Sequence, residues 1–124
     1  MTIDEQELAK QIGGNTSAAA GTVYQIFARA NLPCALSSQF GGHGYIDREL
    51  RFVRGERWYF AAVLNKSWVL WYFRRPAISD LNLSIEDLIQ TFPGAEVTTG
   101  AEVKIRVENP VLAYAIIGWV FQAL

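Results

Sequence analysis

The sequence is short of the residues that most often announce a reaction. It holds one cysteine, Cys34, and one histidine, His43. A single cysteine excludes an intramolecular disulfide and a multi-cysteine metal site, and a single histidine excludes a multi-histidine one, so neither metal nor cofactor is expected. An excess of charge of one sign is also missing: 11 Lys and Arg stand against 12 Asp and Glu, for a net charge of −1. No chain-wide basic field exists to draw in nucleic acid or anionic lipid. Charged residues make up only 19% of the 124, and 51% are apolar, a balance that argues against disorder.

Repeats, low-complexity tracts and linkers are absent too, so residues 1–124 read as a single domain. A chain of this size buries roughly two thirds of its unfolded surface. The free thiol suits a reducing compartment, and the polar, acidic start MTIDEQELAK does not resemble a secretory leader; a cytoplasmic protein is expected. The longest apolar run, PVLAYAIIGWVFQAL from Pro110 to Leu124, carries no charge. As a helix it is about 22 Å long at 1.5 Å per residue. A bilayer span needs about 20 apolar residues, so no membrane span is expected and the run reads as a helix buried on most sides.

Local signals predict an α+β domain in the order α-α-β-β-β-α-β-α. A first helix covers Ile3 to Ile12, with Thr2 and Glu5 at capping-box spacing. A second begins after Thr16 or Ser17 and ends near Asn31, its stripe formed by Ala20, Val23, Tyr24, Phe27 and Ala30. The stretch SSQFGGHGY reads as a loop leading into a strand from Tyr45 to Arg54. Gly55-Glu56 and Asn65-Lys66 read as tight turns on either side of a strand from Arg57 to Leu64, followed by a third strand from Trp68 to Arg74. Ser84 caps a short helix that Pro93-Gly94 ends. Ala101 to Val107 alternates apolar and polar, the mark of a half-buried strand. Asn109 and Pro110 open the last helix. The predicted architecture is a three-strand antiparallel meander plus a fourth strand, with helices on one side.

Two of these stretches carry a resemblance: the meander YIDRELRFVRGERWYFAAVLNKSWVLWYFRRP and the strand-to-helix ending TTGAEVKIRVENPVLAYAII. Both are similar to the YdhG-like families of uncharacterised bacterial domains, one of which is labelled a predicted transport protein. The resemblance covers about half of the chain and implies the α+β fold, with no activity or catalytic residue to carry over. The last helix of such domains is usually amphipathic, whereas here it is apolar nearly all round. That departure points to a partner.

Aromatic residues are concentrated in RWYFAAVLNKSWVLWYFRRP, Arg57 to Pro76, which holds three of the four Trp. With Asn65-Lys66 as a two-residue loop, position 64 faces 67, 62 faces 69, 60 faces 71 and 58 faces 73. One face then carries Trp58, Phe60, Ala62, Leu64, Val69, Trp71 and Phe73. The other carries Tyr59, Ala61, Val63, Trp68, Leu70 and Tyr72, with Arg57 and Arg74 at its end. A meander with one solvated face alternates apolar and polar; this one does not, so both faces want cover. Core on both sides, a dimer interface and a small-molecule pocket are the alternatives.

Arg48, Arg51, Arg54, Arg57, Arg74 and Arg75 interleave with these aromatics as in a single-strand binder. Asp47, Glu49 and Glu56 partly cancel them, which argues against nucleic acid. FGGHGY, Phe40 to Tyr45, would let a backbone approach a ligand, with His43 as a general base beside Asp47 or Glu49; the plain alternative is a loop with an exposed histidine. Cys34 reads as a small thiol without a ready base.

The expected function is a non-enzymatic interaction module acting as a homodimer. Its interface candidates are Tyr59, Trp68, Tyr72, Tyr114 and Trp119. The alternative is a small-molecule binder or minor enzyme with a pocket at His43, Tyr45, Trp68 and Tyr72.

Overall fold

A computed structural model describes residues 3–33, 36–43 and 46–124 of the chain. Cys34, Tyr45 and Thr2 lie outside the described residues, as does the side chain of His43.

Helix α1 (Glu5–Ile12) starts at Asp4, whose carboxylate accepts the N–H of Glu7 at 3.1 Å. The acids Glu5 and Glu7 sit in its first turn and Lys10 in its last, as the helix dipole favours. Asp4 thus supplies the cap. Helix α2 (Ala18–Ala28) is capped by Ser17, which accepts the N–H of Ala20, and it ends three residues before Asn31.

Strands β1 (Ser37–His43), β2 (Ile46–Arg54), β3 (Arg57–Leu64) and β4 (Val69–Phe73) form an antiparallel meander. Two more helices, α3 (Arg75–Asp80) and α4 (Ile85–Thr91), follow. Then come β5 (Glu96–Val97), β6 (Val103–Val107) and α5 (Pro110–Ala123). The sheet order is β1-β2-β3-β4-β6-β5. The fold is α+β, and the expected elements occur in the expected order. The structure adds β1, α3 and β5.

Strand β1 is made of SSQFGGH, which has no alternation of its own; pairing with β2 from Ser37 opposite Val53 to Gly41 opposite Glu49 makes it a strand. Pro76 stands in the first turn of α3, where its missing N–H costs nothing. Ser84 and Asn109 cap α4 and α5 through Asp87 and Leu112 N–H groups at 3.1 and 3.0 Å.

Two corrections to the register follow. The β3–β4 pairing is shifted by two residues, with Lys66-Ser67 at the turn: Leu64 faces Val69, and the Asn65 N–H donates to the Trp68 carbonyl at 2.9 Å. The slip is by an even number of residues, so the faces survive it. A bulge on β3 has the opposite effect. Phe52 faces Phe60 while Val53 faces Trp58, leaving Tyr59 with no residue opposite. Past it the alternation inverts. Tyr59 turns toward the helices and is 1% exposed, and Trp58 turns to the other side.

The centre of the helix-side face is apolar, with Arg48 and Ser38 toward its β1–β2 margin. Leu50, Phe52, Phe60, Ala62, Leu64, Val69, Trp71, Phe73, Val103, Ile105 and Val107 are all buried there. The five helices bury Leu8, Val23, Phe27, Ala77, Leu88, Ile116 and Val120, among others, in the same cluster. Trp71 lies at its centre, stacked by Phe27 at 4.7 Å and Phe60 at 5.4 Å.

Candidate functional site

With the helices gathered on one side, the other sheet face has to meet its own need for cover. It does so with arginines laid flat on tryptophans. Arg51 stands opposite Ala61 on β3, so its side chain projects from this face. Its guanidinium carbon lies 4.2 Å from the centre of the Trp58 ring, and that of Arg74 lies 3.8 Å from it. The indole N–H of Trp58 donates to the Phe60 carbonyl at 2.8 Å. A second stack puts Arg106 at 3.9 Å over Trp68. Each such contact contributes about 0.5–2 kcal/mol depending on its exposure.

Carboxylates pair with three of the cations on this face. Glu49 accepts from Arg51 Nε at 2.8 Å, Glu102 lies 3.4 Å from Arg74 Nε, and Glu96 lies 4.0 Å from the Lys104 ammonium. Beneath the layer Ala61 and Glu49 are buried, at 2% and 4% exposure. The face is a cation–aromatic layer in which Arg51, Arg74 and Lys104 are paired with carboxylates. The remaining arginines are also engaged. Arg48 reaches the Gln11 carbonyl and Thr16, tying β2 to the end of α1. Arg57 is bidentate to Asp80 at 2.7 and 3.0 Å, and Arg75 donates to the Gly100 carbonyl. Arg54 lies over Tyr59 at 5.0 Å. All six arginines of the interleaved set have partners in the chain itself, so the set offers no open basic track.

The expected site residues are scattered. Tyr59 is removed from the interface set: its ring packs edge-on to Phe60 and its hydroxyl donates to Asp80 at 2.7 Å. Burial, and then this hydrogen bond, hold the Tyr59 hydroxyl pKa above its ordinary value. Arg57, and then Tyr59, hold the Asp80 carboxyl below its own. Trp119 is half-buried, packing edge-on to Phe73 at 5.5 Å and Phe92 at 6.0 Å as a wall of the core. Trp68 and Tyr72 are half-buried on the layered face, Tyr72 between Ala61 and Lys104. His43 ends β1, and two strands separate it from β4, which carries Tyr72. A cavity of about 130 Å³ on the layered face is lined by Leu70, Gly94, Glu96, Lys104 and Arg106. Among the described residues no three His, Cys, Asp or Glu converge as metal ligands.

Tyr114 is the one interface candidate that stands clear of the fold, at 62% exposure. It belongs to a stripe on α5 with Val111 at 79% and Phe121 at 48%. Gly118 completes a 3-4-3 spacing along one side of the helix. Ala113, Ile116 and Val120 occupy the opposite, core side. A β-carbon at Gly118 would meet nothing within 4 Å, so the chain's own packing does not require glycine there. Among the described residues no helix is long and apolar enough to cross a membrane.

Comparison with protein-family models, curated proteins and solved structures finds no match. The likeness to the YdhG-like domains rests on the sequence pattern alone.

Proposed function

We propose that this domain is a non-enzymatic interaction module that pairs with a second copy of itself through α5. The observation that carries the reading is Gly118, set in the middle of an exposed apolar stripe. Glycine inside a helix costs about 0.5–1 kcal/mol relative to alanine. No neighbour within the chain accounts for that cost, and close approach of a second helix backbone does. The layered sheet face, whose Trp58 and Trp68 are already stacked, contributes less than its composition suggests.

The exposures set the strength. Full burial of a large apolar side chain is worth about 1.5–3 kcal/mol. Scaled by exposures of 79%, 62% and 48% and doubled for two copies, the stripe supplies about 6–11 kcal/mol. Association costs about 4–15 kcal/mol. The two are of the same order, so the proposed dimer is a weak, reversible one. Light scattering across a concentration series tests this. The wild type shifts toward dimer as concentration rises, and Phe121→Asp and Gly118→Leu stay monomeric with the fold intact. A wild type that remains monomeric at its highest soluble concentration overturns the reading.

A further inference from the structure

The two edges of the sheet are finished differently. At one edge β5 is only two residues long and carries Glu96, and shortness and charge are both ways of blocking unwanted strand pairing. The other edge, β1, has neither. From Ser37 to Gly41 it runs in unbroken register with β2, without a charged residue or proline, and its irregularity falls only between Gly41 and His43. Among the described residues no backbone group pairs with the outer side of this strand.

A groove runs beside that open edge on the helix side of the sheet. One cavity of about 540 Å³ lies between α1 and β1, lined by Ile3, Asp4, Glu7, Ser38, Phe40 and Gly41, among others. A second of about 240 Å³ shares Ile3 and Ser38 with it and continues past Leu32, Leu36 and Phe52. The first cavity has two carboxylates and no basic residue in its lining. In the second, Arg29 is neutralised by Glu5 at 2.7 Å, and the rest of the lining is apolar or uncharged.

We infer that β1 accepts an extended segment of a partner protein as an added strand. The segment places an apolar side chain in the smaller cavity and, two residues along, a lysine or arginine against Asp4 and Glu7. Main-chain hydrogen bonds to β1 provide the attachment, and alternate side chains entering the groove select the sequence. Apolar and basic residues two apart lie on the same side of a strand, as the order of the two cavities along β1 requires. This surface is separate from α5 and does not depend on the dimer.

The test is an NMR titration of the full chain with a blocked Thr-Thr-Val-Thr-Lys-Thr-Thr peptide. The expected result is shifted, exchange-protected amides at Ser38 to Gly41, and loss of binding when the peptide backbone is N-methylated on its pairing side. The variant Asp4→Ser with Glu7→Gln keeps the helix cap and the contact to Gln11 but removes both charges. It weakens the lysine peptide about fivefold or more and leaves a threonine-for-lysine peptide unchanged. Binding that survives N-methylation, or shifts confined to other residues, overturns the inference. So does protection of Ser38 to Gly41 that grows with protein concentration without peptide, because a second copy would then hold the edge.

Discussion

Replacing Gly41 with alanine tests the layered face at its tightest point. Gly41 stands opposite Glu49, and the Arg51 side chain crosses over it. A β-carbon there would lie 2.8 Å from Arg51 Cζ, 2.9 Å from Cδ and closer still to Nε, so the guanidinium must leave. Two interactions leave with it. One is the 2.8 Å pair with Glu49, whose side chains are 25% and 5% exposed for Arg51 and Glu49. Breaking a fully buried pair costs about 3–5 kcal/mol, and this half-shielded one about 1–3 kcal/mol. The other is the Arg51 stack on Trp58, at about 0.5–1 kcal/mol. Alanine itself returns about 0.5–1 kcal/mol over glycine in a strand. The net expectation is a loss of about 1–3 kcal/mol, read as a lower urea midpoint by tryptophan fluorescence. In a chain already carrying Glu49→Val and Arg51→Ala nothing remains to displace, and Gly41→Ala becomes stabilising by about 0.5–1 kcal/mol. An equal cost in both backgrounds would refute the reasoning.

Two further outcomes are expected. Ala101, in the β5–β6 turn, holds φ at 59°, a left-handed conformation that costs an L-residue about 1–2 kcal/mol; allowing for the entropy of glycine in the unfolded chain, Ala101→Gly raises stability by about 0.5–1 kcal/mol in the same assay. Asp80 has its folded pKa held below its unfolded value by Arg57 and then Tyr59, so its contribution is complete above about pH 3.9 and fades as the pH falls through the folded value. Asp80→Asn is therefore less stable than wild type at neutral pH, and thermal melts show the gap closing in acid; a gap that stays constant with pH argues against the assignment.

Where local chemistry decides structure, the sequence was legible. The caps at Ser17, Ser84 and Asn109 are side-chain to backbone bonds spanning three residues, and the alternation of β6 follows from a strand buried on one face only. Where a partner decides structure, it was not. Strand β1 owes its form to β2, and SSQFGGH carries no period to betray it. The bulge was silent because positions 58, 59 and 60 are all aromatic, so inverting their faces leaves the pattern unchanged. The interleaving of arginines with aromatics and acids was visible, but not the stacks, because Arg51, Trp58 and Arg74 meet only once that bulge has turned Trp58 over. On α5 the core stripe and the open stripe are both apolar, so periodicity could not separate Tyr114 from Trp119.

The strand order also dictates when the chain can close its core during synthesis. Strand β4, bearing Trp71 and Phe73, lies between β3 and β6, and β6 begins only at Val103. Ile116 and Val120 follow from α5, the last element. A nascent chain that has made the whole meander thus still displays β4 as a bare, aromatic edge, and it keeps doing so until β6 arrives. Closure of the core waits on β6 and α5, and a chain stalled or truncated before β6 presents its stickiest strand to whatever lies nearby.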